Sequence, residues 1–191
     1  TRFKCDWSSD VCSSDLDRYR MYYRGVHVVY TLSKIDEPHP EYTCYAESAD
    51  GIHWTRPNLG LFEVAGTREN NVILTSSSGG EATHNFSPFI DARPGVPVGE
   101  RYKALGGGGK GLLAFGSADG VRWRKLRDQP VITKGAFDSQ NLAFWDAVRR
   151  EYRAYVRDFR KGRDIRTCTS ADFLAWTDPE FLGYKIGRAH V

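Results

Sequence analysis

Two short runs in this chain place a carboxylate where it can do chemistry: Phe137-Asp138-Ser139 and Arg157-Asp158-Phe159. Two polar pairs, His84-Asn85 and Gln140-Asn141, open alternating runs. Carboxylates serve as general acids, general bases or nucleophiles, while Arg, His, Asn and Gln hold polar ligands by hydrogen bonds. Other chemistries are excluded. His27, His39, His53 and His84 lack metal-ligand spacing, and Cys44 with Cys168 makes neither a disulfide framework nor a zinc site. Gly106-Gly107-Gly108-Gly109-Lys110-Gly111 has no Ser or Thr after its Lys, and a strand follows instead of the helix that a phosphate loop needs. It reads as a flexible hairpin turn, a lip over a site. The 191-residue chain carries 27 Lys+Arg against 24 Asp+Glu, a net +3 that makes no case for nucleic acid. No run of about 18 apolar residues exists to span a membrane.

The elements that must position these residues come from a repeat. Ser48-Ala49-Asp50-Gly51-Ile52-His53-Trp54, Ser117-Ala118-Asp119-Gly120-Val121-Arg122-Trp123 and Ser170-Ala171-Asp172-Phe173-Leu174-Ala175-Trp176 share the frame Ser-Ala-Asp-x-x-x-Trp. An alternating, strand-like run precedes each: 42–46, 112–115 and 165–168. Asp-Gly is a hairpin signal, because Gly accepts positive φ. Phe173 replaces that Gly in the third copy, which predicts a different turn there. The Trp falls on the returning strand, where its ring packs between sheets. Two further strands precede the second and third motifs, 85–91 with 101–105 and 140–146 with 151–156, and 17–23 repeats the second of these near the start. The unit is four antiparallel strands, present nearly three times with the first copy lacking its first strand. Four-stranded sheets in series are the mark of a β-propeller.

The two ends read differently. Asp10-Val11-Cys12-Ser13-Ser14-Asp15-Leu16 back-translates as GAC GTG TGC TCT TCC GAT CT, whose reverse complement encodes Ile-Gly-Arg-Ala-His-Val, the sequence of Ile186 to Val191. Unrelated peptides at opposite ends do not encode each other's complement. Residues 1–16 and 186–191 therefore read as translated sequencing adapter and are set apart from the fold. Residues 17–185 form the domain, an open-ended fragment by this reading.

The alternating strands, a strand-ending Asp and Ser-x-Asp-x-x-x-Trp resemble the five-bladed β-propellers of glycoside hydrolase families 32 and 43 and their relatives. The motif is also similar to the sialidase Asp-box, with one residue fewer between Asp and Trp. The resemblance covers most of residues 17–184. It implies an all-β chain, a β-propeller fragment of about three four-stranded blades out of five. It also implies hydrolysis of glycosidic bonds by paired carboxylates in a central funnel, with a carbohydrate as partner and neither nucleic acid nor membrane. First strands start on the funnel rim, second strands return to it and third strands leave it. The Ser-Ala-Asp turns, with Glu47 beside the first, then lie on the opposite rim and are structural, while Arg24 ends a second strand at the funnel. Asp138 matches the Asp of the family 32 Arg-Asp-Pro motif, without its Arg and Pro, and the resemblance makes it the leading catalytic residue. Asp158 is the second catalytic candidate. His84, Asn85, Gln140, Asn141 and Arg157 are the substrate-binding candidates, and Asn85 stands where the preceding blade should supply a nucleophile or base Asp. No cofactor is implied. Some family 43 relatives hold an axial calcium, but no residue here identifies its ligands. A propeller that binds glycans without cleaving them would use the same rim.

Overall fold

The computed structural model describes residues 11–15, 18–27, 29–30, 35–36 and 39–183, with the backbone alone at 11–15, 29–30 and 35–36. Three four-stranded antiparallel sheets follow one another along the chain. The first contains β1 (Val11–Asp15), β2 (Arg18–Gly25), β5 (Tyr42–Ser48) and β6 (Val72–Leu74), in that spatial order. A two-stranded ribbon of β3 (Val29–Tyr30) and β4 (Ile35–Asp36) interrupts it. The second contains β7 (Ser87–Ile90), β8 (Tyr102–Gly108), β9 (Gly111–Ser117) and β10 (Arg124–Lys125). The third contains β11 (Leu142–Asp146), β12 (Glu151–Phe159), β13 (Arg163–Ser170) and β14 (Glu180–Phe181). The helix α1 (Ser76–Gly79) and short 3-10 turns at Gly80–Thr83 and Val98–Glu100 complete the described elements. No described helix is long and apolar enough to cross a membrane.

The first strand that the first repeat lacked is supplied by Val11–Asp15, which pairs along β2 from Val11↔Tyr22 to Asp15↔Arg18. This differs from the expectation that residues 1–16 stand apart. An antiparallel ladder is made by backbone N–H and C=O groups, and an open strand edge such as that of β2 accepts any proline-free segment. The other residues set apart, 1–10, 16 and 186–191, lie outside the described residues.

The sheets stack through two apolar layers. Tyr22, Tyr45, Ile73, Leu74, Phe86, Ala104 and Phe115 fill the layer between the first and second sheets. Leu105, Leu112, Ala114, Phe137, Tyr152, Ala154, Val156 and Phe173 fill that between the second and third. The central strand β8 is therefore covered on both faces and buried from Tyr102 to Gly107, whereas β12 alternates, with Tyr152, Ala154 and Val156 buried against the second sheet.

The three motif turns are the same in bonding. Ser Oγ contacts Asp Oδ1 at 2.9, 3.0 and 3.0 Å in the three copies, and that Asp oxygen accepts the backbone N–H groups two and three residues on. The Trp Nε1 donates to the carbonyl of Gly51, Gly120 or Phe173 at 3.2, 3.1 and 3.0 Å. Each Trp packs on the face of its sheet that looks back along the chain: Trp123 on the first interlayer, Trp176 on the second, and Trp54 on the cluster of Tyr23, Cys44, Ala46 and Val72. The expectation of a different third turn is overturned. Phe173 adopts φ 72°, as Gly120 does, and Gly51 stands at 76°. Its ring is fully buried, 5.2 Å from Tyr152 and 5.6 Å from Phe89 and Trp176. Burying a Phe is worth about 1.5–3 kcal/mol, which offsets the roughly 1–2 kcal/mol cost of a left-handed L-residue.

Candidate functional site

First strands begin, second strands end and third strands begin on one rim of the stack, so the sequence distributes several polar residues there. Arg24 stands near the end of β2, Glu41 immediately before β5, His84 and Asn85 before β7, Asp138 before β11, and Arg157 and Asp158 near the end of β12. The Ser-Ala-Asp turns and Glu47 lie at the other ends of the strands. Glu47 bridges to Thr55 and accepts from Arg18 and Tyr45, both at 3.0 Å.

An open groove of about 320 Å³ lies on the rim, walled by Glu41, Glu81, Thr83, His84, Phe137 and Asp138 and bordered by Gly107 and Gly108. Three carboxylates thus face one space. Glu41 and Glu81 were not singled out from sequence. Glu41 had a signal, since it directly precedes a third strand and third strands leave from this rim. Glu81 had none, because it sits on the one-turn 3-10 segment Gly80–Thr83 outside the repeat.

The glycine run explains how Glu81 comes close. A Cβ on Gly108 would fall 2.6 Å from Glu81 Oε2, one on Gly106 2.8 Å from the Ala82 Cβ, and one on Gly107 would strike the Gly111 carbonyl oxygen. Bare backbone on β8 lets the 81–86 segment lie directly against it. Gly106, Gly107 and Gly108 are strand residues paired with Leu113, Leu112 and Gly111. The run is therefore a hairpin at the groove's border, as its composition suggested, with the two-residue turn at Gly109-Lys110 and Gly106 to Gly108 inside the paired strand.

Glu41, His84 and Arg24 form a charged cluster at one end of the groove. His84 Nδ1 is 2.9 Å from Glu41 Oε2, and Arg24 is 3.2 Å from Glu41 Oε1. The hydrogen bond from His84 and the nearby charges of His84 and Arg24 outweigh partial burial and hold the Glu41 carboxyl below its ordinary range, so it is an anion at neutral pH. Arg24 also lies 2.9 Å from the same Nδ1. That nitrogen can serve only one neighbour, donating to Glu41 as N–H or accepting from Arg24 through its lone pair.

Asp138 is half exposed, with one carboxylate oxygen 3.5 Å from Arg157 Nε. Its backbone is held by two asparagines. Asn85 is 2% exposed; its Nδ2 donates to the Phe137 and Ser139 carbonyls at 2.6 and 3.3 Å, and its Oδ1 accepts from Gly107 N–H at 2.8 Å. Asn141 is fully buried, donates to the Ser139 carbonyl at 2.7 Å and accepts from Arg157 N–H at 2.9 Å. Both side chains are spent on backbone groups, so they position the loop and leave no free group toward the groove. Phe137, buried and at φ 56°, is pinned further by its N–H, which donates to the Arg157 carbonyl at 3.2 Å. Left-handed non-glycine backbone costs about 1–3 kcal/mol and persists where surroundings over-determine it.

The other sequence candidates are less central. Gln140 is half-buried on the same loop. Arg157 joins Asp138 to the third sheet, donates to the Asp158 carbonyl at 2.7 Å and stacks 4.3 Å over the Phe159 ring. Asp158 is paired with Arg166 on β13, accepts from the Phe159 N–H at 2.8 Å, and is not among the groove-lining residues. No group of three His, Cys, Asp or Glu among the described residues is arranged to hold a metal ion.

No protein-family profile and no curated protein matches this sequence. Solved structures do match in fold. A fructofuranosidase from Schwanniomyces occidentalis complexed with fructose superposes with a TM-score of 0.60 at 14% identity, covering 92% of this chain and 35% of that one. A glycosyl hydrolase from Bacteroides ovatus superposes with a TM-score of 0.56 at 15% identity, covering 93% of this chain and 49% of that one. The chain therefore has a glycoside-hydrolase-like fold and spans between a third and a half of those proteins' length.

Proposed function

We propose that this chain is the glycan-facing part of a five-bladed β-propeller of the family 32 and 43 kind, and that its groove serves hydrolysis of glycosidic bonds. One observation carries this reading: carboxylates from the segments before β5, β7 and β11, one in each sheet's stretch of chain, converge on one open groove at the rim. Such hydrolysis uses two carboxyl groups with divided roles, one protonated and one ionised. Glu41 is kept ionised by His84 and Arg24, which suits a base, a nucleophile or a charge stabiliser. Asp138, set on a clamped loop beside Arg157, is the second member of the pair. This assignment shifts the second catalytic role from Asp158, whose carboxylate is engaged by Arg166, to Glu41. His84 is the side chain left in the groove to meet sugar hydroxyls, Arg157 steadies Asp138, and Asn85 and Asn141 hold the loop. Carbohydrate is the proposed ligand, in line with the fructose bound to one fold neighbour.

The test is turnover of a panel of fructosides, arabinosides and xylosides by the chain and by longer protein that carries it. Asp138→Asn removes the carboxyl group at nearly constant volume. We expect a loss of about a hundredfold in turnover, equivalent to about 2.7 kcal/mol of transition-state stabilisation, at unchanged melting temperature. Turnover unaffected by Asp138→Asn would remove this residue from the reaction. Sugar binding at the groove with no hydrolysis by any form would establish the glycan-binding reading instead.

A further inference from the structure

Three side chains from three segments meet at one end of the groove: Arg24 from β2, Glu41 from the chain before β5, and His84 directly after the 3-10 turn Gly80–Thr83. His84 is the most open of them, 45% exposed against 20% for Glu41 and 14% for Arg24. Protons from solvent reach the ring, while the other two are largely withdrawn from water, where charges are screened less.

Their hydrogen-bonding capacities make this end of the groove sensitive to a single proton. Arg24 Nη1 lies 2.9 Å from His84 Nδ1 and 3.3 Å from its Nε2. A guanidinium only donates, so the ring nitrogen that it bonds must carry a lone pair. Neutral imidazole has one such nitrogen, and imidazolium has none. Charging His84 therefore removes its bond to Arg24 whichever tautomer it had, and leaves two cations facing each other at these distances. Glu41 responds in the opposite sense. Its two carboxylate oxygens lie 2.9 and 3.2 Å from Nδ1, and they accept a charged N–H more strongly than a neutral one. The bond from His84 is already the leading cause that holds the Glu41 carboxyl below its ordinary range. Histidine is the side chain whose ordinary value brings such a change near neutral pH.

Other groups face the ring from the neighbouring elements. Glu81 on the same 3-10 turn and Asp138 before β11 are the remaining carboxylates on the groove, and Asp138 is engaged by Arg157 at 3.5 Å. From β8 only Gly107 and Gly108 border this space. On β2, the Tyr22 hydroxyl donates to the Gly120 carbonyl, and the Tyr23 hydroxyl accepts from Asn71.

We propose that His84 is a positioning residue for Glu41 that is operated by pH: neutral, the ring is bound by Arg24 and leaves Glu41 to act in the groove; charged, it breaks from Arg24 and takes Glu41 as its counter-ion. The proposal rests on Glu41 being the ionised member of the carboxyl pair. A carboxylate held by an imidazolium is a weaker base and nucleophile than one beside a neutral ring. The groove is thus switched off from the acid side through a side chain that is not one of the two reacting carboxyls.

NMR of the histidine rings between about pH 5 and 9 reads the exchange of partners in the chain without any substrate, the His84 signal being the one lost in His84→Gln. Its midpoint should fall by about half a pH unit or more in Glu41→Gln and rise by as much in Arg24→Gln, since each variant removes one of two opposed charges. If Arg24→Gln loses native circular dichroism, Arg24→Met takes its place. Turnover of the glycoside panel, by the chain and by longer protein that carries it, is the second readout. There kcat should rise with pH around the midpoint of the ring while KM stays nearly flat, and in His84→Gln that rise should move down to the carboxylate range, about pH 4. A midpoint indifferent to Arg24 and Glu41, or a kcat profile that His84→Gln leaves in place, would overturn the proposal. A ring that titrates as expected in a protein that turns over no glycoside would overturn the hydrolytic reading, and with it the role given to Glu41, but not the exchange of partners.

Discussion

Phe173 separates two forces that act on one turn. Glycine occupies this position in the other two copies, so replacing Phe173 by Gly has the form of a consensus stabilisation. Its φ of 72° would be relaxed, a gain of about 1–2 kcal/mol. The ring, however, is fully buried among Phe89, Tyr152 and Trp176. Truncating a buried Phe costs about 3–5 kcal/mol. Phe173→Gly should therefore lose about 1–4 kcal/mol, near the middle of which a domain of this size melts roughly 5–10 °C lower. Phe173→Ala keeps the strain and also loses the ring, so it should be less stable than Phe173→Gly, by roughly 1 kcal/mol. Urea unfolding of the three proteins, followed by Trp fluorescence, gives both differences. A Gly variant at least as stable as the parent would refute the aromatic-cluster account. An Ala variant as stable as the Gly variant would refute the account of strain.

Asn85→Ala should destabilise the protein by about 2–4 kcal/mol in urea unfolding, because it orphans the buried Gly107 N–H and frees two carbonyls on the Asp138 loop. Asn141→Ala, which breaks two bonds instead of three, should cost less, and the reverse order would contradict the clamp described above. The motif aspartate Asp172 is held below its ordinary range by the Ala175 and Leu174 N–H groups and the Ser170 hydroxyl, against partial burial. A carboxyl whose folded value lies below its unfolded one contributes stability above the unfolded value, near pH 3.9, and loses it as the pH falls through the folded value. Unfolding free energy should therefore decline below about pH 4, and less so in Asp172→Asn; a flat profile down to about pH 2 would exclude the linkage.

The sheets were legible because the Ser, Asp and Trp side chains of Ser-Ala-Asp-x-x-x-Trp bond within their own turn. The alternating runs before each motif gave the strands to within a few residues, and Asp138 and Arg157 fall together as their strand positions implied. The sequence did not carry the fate of Asn85 and Asn141. An amide reads alike whether it meets a ligand or a backbone carbonyl, and only the packing of 137–139 between two strand beginnings decides. It did not carry Glu81, whose approach depends on the missing side chains of a different strand. The conformation of Phe173 was hidden for a related reason: its partners Phe89 and Tyr152 lie 84 and 21 positions earlier in the chain.

The bare backbone of Gly106 to Gly108 also bears on how this surface can change over generations. A site edged by side chains can be retuned one substitution at a time at that edge. Here every added carbon at these positions strikes a neighbour, the Ala82 methyl, the Gly111 carbonyl or the Glu81 carboxylate. Gly106 and Gly107, where that neighbour is a methyl or backbone, are thus the fixed part of this edge, whereas at Gly108 it is the movable end of Glu81. Divergence in what the groove accepts must then be written in its walls, where Glu41, Glu81, His84 and Asp138 stand on segments outside the paired strands and can vary without disturbing a ladder.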